Sequence, residues 1–340
     1  MDVFNVLLTL VGLLVIMGTI YVANQAEHSE TSLKLLNSLW VLLIVANATF
    51  GGLLFISIGS LAESAEPPSG LALFSPAQVS FLLIALVISG VALSIVRSPN
   101  LRMRLRQWLP SGAQYDPQSP VHTTAIILSL LLISMTLGQF VASGGIDGLA
   151  TDIQTAGVSL SDVFLTFALW VIAAVLGVGL FIRRTVGTSI NRLGVRLPTP
   201  QDLNWGIGIG FLMVGVTIAF TLIWVTFTSP ELFAEQTAAS AQLARSFVTV
   251  PSALILSLLV GFSEELFFRG ALQPIFGNIV TSVFFLILHT QYTLSPATIP
   301  LFMTSLAFGW LRNRYSTSAA MTAHFVFNFT QLFMNILVSG

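Results

Sequence analysis

The chain has 340 residues, 55% of them hydrophobic and only 8% charged, with a mean hydropathy of +0.89. Soluble domains carry about 25% charged residues, so this is the balance of an integral membrane protein. The 13 basic and 14 acidic residues leave a formal charge of -1, which excludes the basic surface of a nucleic-acid binder, and the absence of cysteine excludes disulfides, iron–sulfur clusters and thiolate zinc sites.

A helix that crosses a bilayer needs about 20 mostly apolar residues, because every backbone amide has to find its partner within the segment. Residues 3–23, 35–61, 77–96, 122–141, 163–182, 205–227 and 248–268 meet that need. Beyond them 276–289 and 297–311 are short and 318–338 is full length, which predicts an all-α polytopic bundle of about ten crossings. The first run, opening MDVFNVLLTL, holds an acid and no basic n-region, so it reads as a retained anchor rather than a cleaved signal.

Lys and Arg stay in cytoplasmic loops near span ends. The loop 97–120 carries Arg97, Arg102, Arg104 and Arg106, and the loop 183–204 carries Arg183, Arg184, Arg192 and Arg196, so both are predicted inside, with Arg312 and Arg314. Alternation places 62–76 (Glu63, Glu66) and 142–162 (Asp147, Asp152, Asp162) outside, together with Arg245 and both termini. Within the loop 97–120, the alternating LRMRLRQWL at 101–109 reads equally as a solvated basic loop or as a segment lying on the headgroups. Gly206 and Gly210 form a small-xxx-small pair, the pattern of close helix packing.

The chain divides by chemistry. Residues 1–200 supply five spans with no charge at membrane depth besides Asp162 near a span end, a region of unknown role; every deep ionisable group lies beyond about residue 245. There the apolar run PSALILSLLVGF leads into SEELFFRG, residues 263–270. On a helix Glu265 and Arg269 are four apart and share a face, with the acid N-terminal to the base, so they read as a structural ion pair. Glu264 points about 100° away and needs another partner. Candidates lie in SVFFLILHTQY, where Phe285 and His289 are four apart, and in TAHFVFNFTQ, where His324 and Asn328 are four apart. Deep polar side chains avoid lipid, so one carboxylate, two imidazoles and one carboxamide are expected to face inward together. His28 and His122 sit near span ends, where interface placement accounts for them.

The order Glu264-Glu265-x-x-x-Arg269, Phe285-x-x-x-His289, His324-x-x-x-Asn328, each motif on its own apolar helix, resembles the three-motif signature of the CPBP (ABI) family of intramembrane proteases, which includes the type II CAAX prenyl endopeptidases. The resemblance covers about the last 90 residues and makes 201–340 the protease-like domain. It implies an endopeptidase acting on a membrane-tethered or membrane-embedded protein, or on a lipidated peptide. Glu264 is then the base that activates water, His289 assists it, and His324 and Asn328 stabilise the oxyanion. It also implies a site without metal. Two histidines and a glutamate are nevertheless common ligands of catalytic zinc, so a zinc site stays open on residue types alone. A prokaryotic plasma membrane is the expected location.

Two other functions fit parts of the chain. A non-catalytic scaffold would use the N-terminal helices to dock another membrane protein. A proton-coupled transporter would use Glu264 and His289 as a relay, but no inverted repeat with matching broken helices is present. A problem of depth also stands. If 270–276 turned at the inner face, Glu264 would lie about 9 Å inside and His289 about 20 Å along the next helix. A seventh helix that runs on past Arg269, or a turn ALQPIFGN that dips into the protein, would bring them together.

Overall fold

The computed structural model describes residues 3–62, 76–293 and 295–339. Among them the secondary structure is helical, without strands, as an all-α membrane bundle requires. Glu63 and Glu66 lie outside the described residues. The helices are α1 (Val3–Ala26), α2 (Glu30–Ala62), α3 (Pro76–Arg97), α4 (Pro99–Trp108), α5 (Pro120–Ala142), α6 (Ile146–Ala156), α7 (Leu160–Gly177), α8 (Val186–Leu193), α9 (Pro200–Phe227), α10 (Pro230–Arg245), α11 (Val250–Glu265), α12 (Gln273–Leu288), α13 (Thr298–Arg314) and α14 (Thr317–Ser339). Among the described residues seven stretches are long and apolar enough to cross a membrane, and Leu10–Ala26 is a shorter apolar one. Large apolar side chains lie exposed along these helices, among them Leu83, Val87, Phe211, Leu222 and Ile223, as on a surface solvated by hydrocarbon.

Local chemistry sets many of the helix starts. Ser119, Ser159, Thr185, Thr199, Ser229 and Thr249 each accept a backbone N–H of the first turn of the helix that follows. Proline follows directly at Pro120, Pro200 and Pro230, where its missing N–H costs nothing. Asp162, the one acid the sequence placed near a span end, completes a capping box with Ser159.

Two compact units are formed: Met1–Trp108 with Asp116–Gly145, and Leu109–Tyr115 with Ile146–Gly340. This division falls at Gly145, whereas the partition by chemistry drawn from the sequence falls at residue 200. In the first unit α1, α2, α3 and α5 pack together around Leu36, Trp40, Ile44, Ala92 and Ile127. The Trp40 indole donates to Thr124 Oγ1 at 3.0 Å, and Asn47 donates to Ser89 Oγ at 3.0 Å. Such buried pairs join helices that gain nothing from a hydrophobic drive in lipid.

In the second unit α14 is the axis. Gly206 and Gly210 of α9 face it so closely that a Cβ at Gly206 would stand 2.8 Å from Ala319 O, and one at Gly210 2.9 Å from Ala323 O. Gly261 of α11 does the same on another side, 3.1 Å from Phe325 N. The small-xxx-small reading of Gly206 and Gly210 is therefore correct, with Ala319 and Ala323 as their counterparts. The start of α14 is tied to the segment before α9: Thr317 Oγ1 donates to Leu193 O at 2.6 Å and Ser318 Oγ to Arg196 O at 2.6 Å. Ser316 Oγ donates to the buried Asp202 at 2.9 Å, and Arg196 pairs with Asp202 at 2.9 Å.

Several expected boundaries are displaced. The span foreseen at 163–182 ends at Gly177, where Gly179 (φ 88°) and Phe181 (φ 60°) turn the chain toward α8. The loops also hold helices that composition did not reveal, namely α4, α6, α8 and α10, too short or too polar to span. Of these α6 and α10 pack on each other and on the 3₁₀ turn Thr290–Tyr292 that follows His289.

The largest difference concerns 248–268 and 276–289. These are not two helices joined by a surface turn. Helicity runs on from α11 through a π-helical stretch, Leu266–Leu272, into α12, and breaks only at Gly277 (φ 80°, ψ 167°). Glu264 and His289 stand thirteen residues before and twelve after that glycine. The chain folds back there, since Phe268 meets both Phe284 and Phe285, with ring centroids 5.7 and 5.1 Å apart. The seventh helix thus continues past Arg269, one of the two ways of resolving the depth problem. Pro110 and Ala113 lie over the glycine, and Gln114 N–H donates to Pro274 O at 2.8 Å.

Candidate active site

A π turn adds one residue per turn to a helix and so re-aims the side chains beside it. Here it begins directly after Glu264 and Glu265 and includes Arg269. Trp170 of α7 backs it, 4.5 Å from the ring of Phe267 and 5.7 Å from that of Phe268.

The deepest element is the pair foreseen from the sequence. Glu265 and Arg269 are fully buried, with Arg269 Nε 3.0 Å from Glu265 Oε2. Arg269 Nη2 donates to Ser305 Oγ on α13 at 2.9 Å, and its guanidinium lies 5.4 Å from the ring centre of Phe285. Two buried charges in a low dielectric need partners on several sides, and here the satisfaction is incomplete: Arg269 Nη1 has no hydrogen-bond partner among the described residues. Ser305 has no place in the three motifs. The only sequence signal for it is a deep hydroxyl on a short apolar helix.

The histidines divide between the two acids. His324 Nδ1 lies 2.8 Å from Glu265 Oε1, so this imidazole, expected with Glu264, is held by the second glutamate of the doublet. His289 Nε2 lies 3.9 Å from Glu264 Oε2, and both side chains keep partial exposure, 18% and 16%. The Nδ1–H of His289 donates to Phe285 O at 2.8 Å, which directs its Nε2 toward Glu264. Glu264 Oε2 itself is buried and accepts no hydrogen bond among the described residues. Phe285 ties the halves together. It stacks on His289 at 4.1 Å and meets His324 edge-on at 6.2 Å. Asn328 lies one turn beyond His324 on α14, half-buried.

A second polar cluster, which periodicity gives no means of finding, supports the fold-back. On either side of Gly277, Gln273 Nε2 donates to Gly309 O at 2.8 Å and Asn278 Nδ2 to Leu306 O at 2.9 Å. Both carboxamides grip the backbone of α13, the helix that carries Ser305. Gly309 has to be glycine, because a Cβ there would occupy the position of Asn278 Oδ1.

As metal ligands, the ring and carboxylate atoms left free here are those of Glu264, His289 Nε2 and His324 Nε2, the Nδ1 of His324 being taken by Glu265. Among the described residues no three His, Asp or Glu side chains gather as a ligand group, and a catalytic zinc takes three from the protein.

Comparison with known proteins points to the same segment. The uncharacterized protein YpbD of Bacillus subtilis (strain 168) is 34% identical over 83 residues, 23% of this chain and 42% of YpbD, so the match spans under half of that relative. No solved structure matches. Residues 246–330, which hold both glutamates, Arg269, Phe285, both histidines and Asn328, match the family of the type II CAAX prenyl endopeptidase Rce1-like proteins, and it is to this protease family that the segment is similar.

Proposed function

We propose that the protein is an intramembrane endopeptidase that hydrolyses a peptide bond of a membrane-tethered or membrane-embedded protein with water activated by Glu264. The observation that carries this reading is the facing of Glu264 Oε2 and His289 Nε2 at 3.9 Å. That gap is too long for a direct hydrogen bond, and a water admitted between the two atoms at ordinary lengths would bridge them at an angle of about 90°, near its own H–O–H angle. Glu264 takes the proton as the water attacks, and His289, its tautomer set by Phe285 O, orients the water and relays the proton to the leaving amine.

The Nδ1–H of His324 donates to Glu265, which leaves Nε2 as the free ring atom. A proton on that Nε2 makes the ring a donor for the developing oxyanion. Asn328 supplies an amide N–H that requires no titration. Glu265 and Arg269 are positioning residues in this scheme. The mechanism uses no metal, and the substrate class, a membrane-tethered or lipidated peptide, follows from the family match alone.

Glu264→Gln and His289→Ala are expected to lower cleavage of such a substrate by about 10²–10⁴-fold with the fold unchanged. Activity near wild type in either variant, measured in proteoliposomes, removes the mechanism. A second reading, a non-catalytic assembly partner, draws on the first compact unit, which the family match does not reach. Stable co-purification of a defined membrane complex that is indifferent to Glu264→Gln, with no cleavage by the wild type, selects it.

A further inference from the structure

The helix ends opposite His289 carry a group of arginines that the proteolytic reading does not use. Arg183 and Arg184 follow α7, Arg192 lies in the last turn of α8, and Arg312 in the last turn of α13. All four are half-buried. Arg312 packs its guanidinium on Gly194, where a Cβ would stand 2.7 Å from its Cζ; Gly194, at φ 68°, ends α8 and leaves the space the guanidinium fills. Burial, together with the charges of Arg184, Arg312 and Arg183, pushes the Arg192 guanidinium down to about 10.

Like charges drawn together need a counter-charge. Among the described residues Arg184, Arg192 and Arg312 form no ion pair with a carboxylate. Asp202, at the start of α9, is taken up by Arg196, Thr199 and Ser316. Arg312 Nε and the hydroxyl of Ser189, one turn before Arg192, are buried without a hydrogen-bond partner among those residues. Exposed apolar side chains flank the arginines along the chain, among exposed polar ones such as Thr188 and Asn191: Phe181 is 82% exposed and Leu197 91%, with Val186 and Ile190 exposed one turn apart on α8.

We propose that this notch between α8 and the end of α13 is a binding site for the phosphate of an anionic phospholipid, with Arg184, Arg192 and Arg312 as its ligands and Phe181, Val186, Ile190 and Leu197 seated among the acyl chains. Guanidinium groups bind phosphodiester oxygens through paired N–H donors, and basic pockets between membrane helices on the cytoplasmic side are suited to lipid headgroups. The apolar fringe favours a lipid over a free anion, which has no use for four exposed hydrophobic side chains. The site reaches the catalytic region through backbone contacts. Arg192 Nη1 donates to Gly270 O in the π turn at 3.0 Å, and Leu193 O and Gly194 O receive Thr317 at the start of α14. Lipid binding itself does not depend on proteolysis.

The test uses the full chain purified into nanodiscs of phosphatidylcholine with 30 mol% phosphatidylglycerol, released and weighed by native mass spectrometry. Phosphatidylglycerol is expected to be retained in preference to phosphatidylcholine. Retention should fall as salt rises and fall about 25-fold in the R192Q/R312Q double variant, about fivefold per arginine. Should that variant unfold in phosphatidylcholine, Arg184→Gln carries the test with a fivefold loss. Glu264→Gln should retain lipid as the wild type does, which separates this result from the fate of the proteolytic reading. Equal retention of the two lipids, or unchanged retention in the arginine variants, overturns the site. Displacement of phosphatidylglycerol by millimolar inorganic phosphate overturns the lipid in favour of a free anion.

Discussion

At the scale of single residues, the two adjacent glutamates have opposite surroundings, and their substitutions should separate. Glu265 is fully buried between Arg269 and His324, so Glu265→Gln leaves a buried guanidinium without its counter-charge. A loss of about 3–5 kcal/mol in stability is expected, measured by denaturant unfolding in detergent. Glu264 keeps partial exposure and pairs only across 3.9 Å, so Glu264→Gln should unfold within about 1 kcal/mol of wild type while cleavage is lost. The i,i+4 spacing was enough to read the Glu265–Arg269 pair in the sequence. The capture of His324 by Glu265 was not readable, because the choice between neighbouring acids depends on the rotation that the π turn imposes after residue 265.

Among the elements, the fold-back at Gly277 and the packing of α14 decide whether the polar groups meet. A straight helix from Glu264 to His289 would separate them by about 37 Å, so the reversal is a condition of the site. Gly277 has φ 80°, where a side chain is strained, and its space is bounded by Pro110 at 3.4 Å. Gly277→Ala is expected to cost about 1–2 kcal/mol and to lower cleavage more than it lowers stability, because it shifts the α12 arm that carries His289. Where α9 packs on α14, Gly210→Leu drives a side chain into Val326 and the backbone of Ala323. Thermal unfolding in detergent should show a marked fall in midpoint, with Gly208→Leu, at a position with open space, as the neutral control. Gly206 and Gly210 were legible as a packing motif from their spacing. Gln273, Asn278 and Gly309 were not, since each makes sense only against a helix about thirty or more residues away.

For the whole molecule, burial is uneven, and local stability should follow it. The arms around Gly277 hold an almost continuous row of buried residues from Leu266 to Leu272 and again at Ile275, Phe276 and Gly277. α4 has no buried residue at all. Hydrogen exchange in nanodiscs is expected to be slowest across 263–285 and 317–327 and fast across 99–108; the reverse order would contradict this packing. The sequence by itself determined that the chain lives in a membrane, that it is helical, and which polar residues cannot face lipid, because those conclusions need only hydropathy, spacing and the cost of an unpaired charge in hydrocarbon. Only the tertiary structure decided where the seventh helix turns, which histidine meets which glutamate, and that arginines from three separate segments come together. Each of those depends on distances between segments remote in the chain, and apolar periodicity carries no information about them when lipid and protein interior are equally apolar.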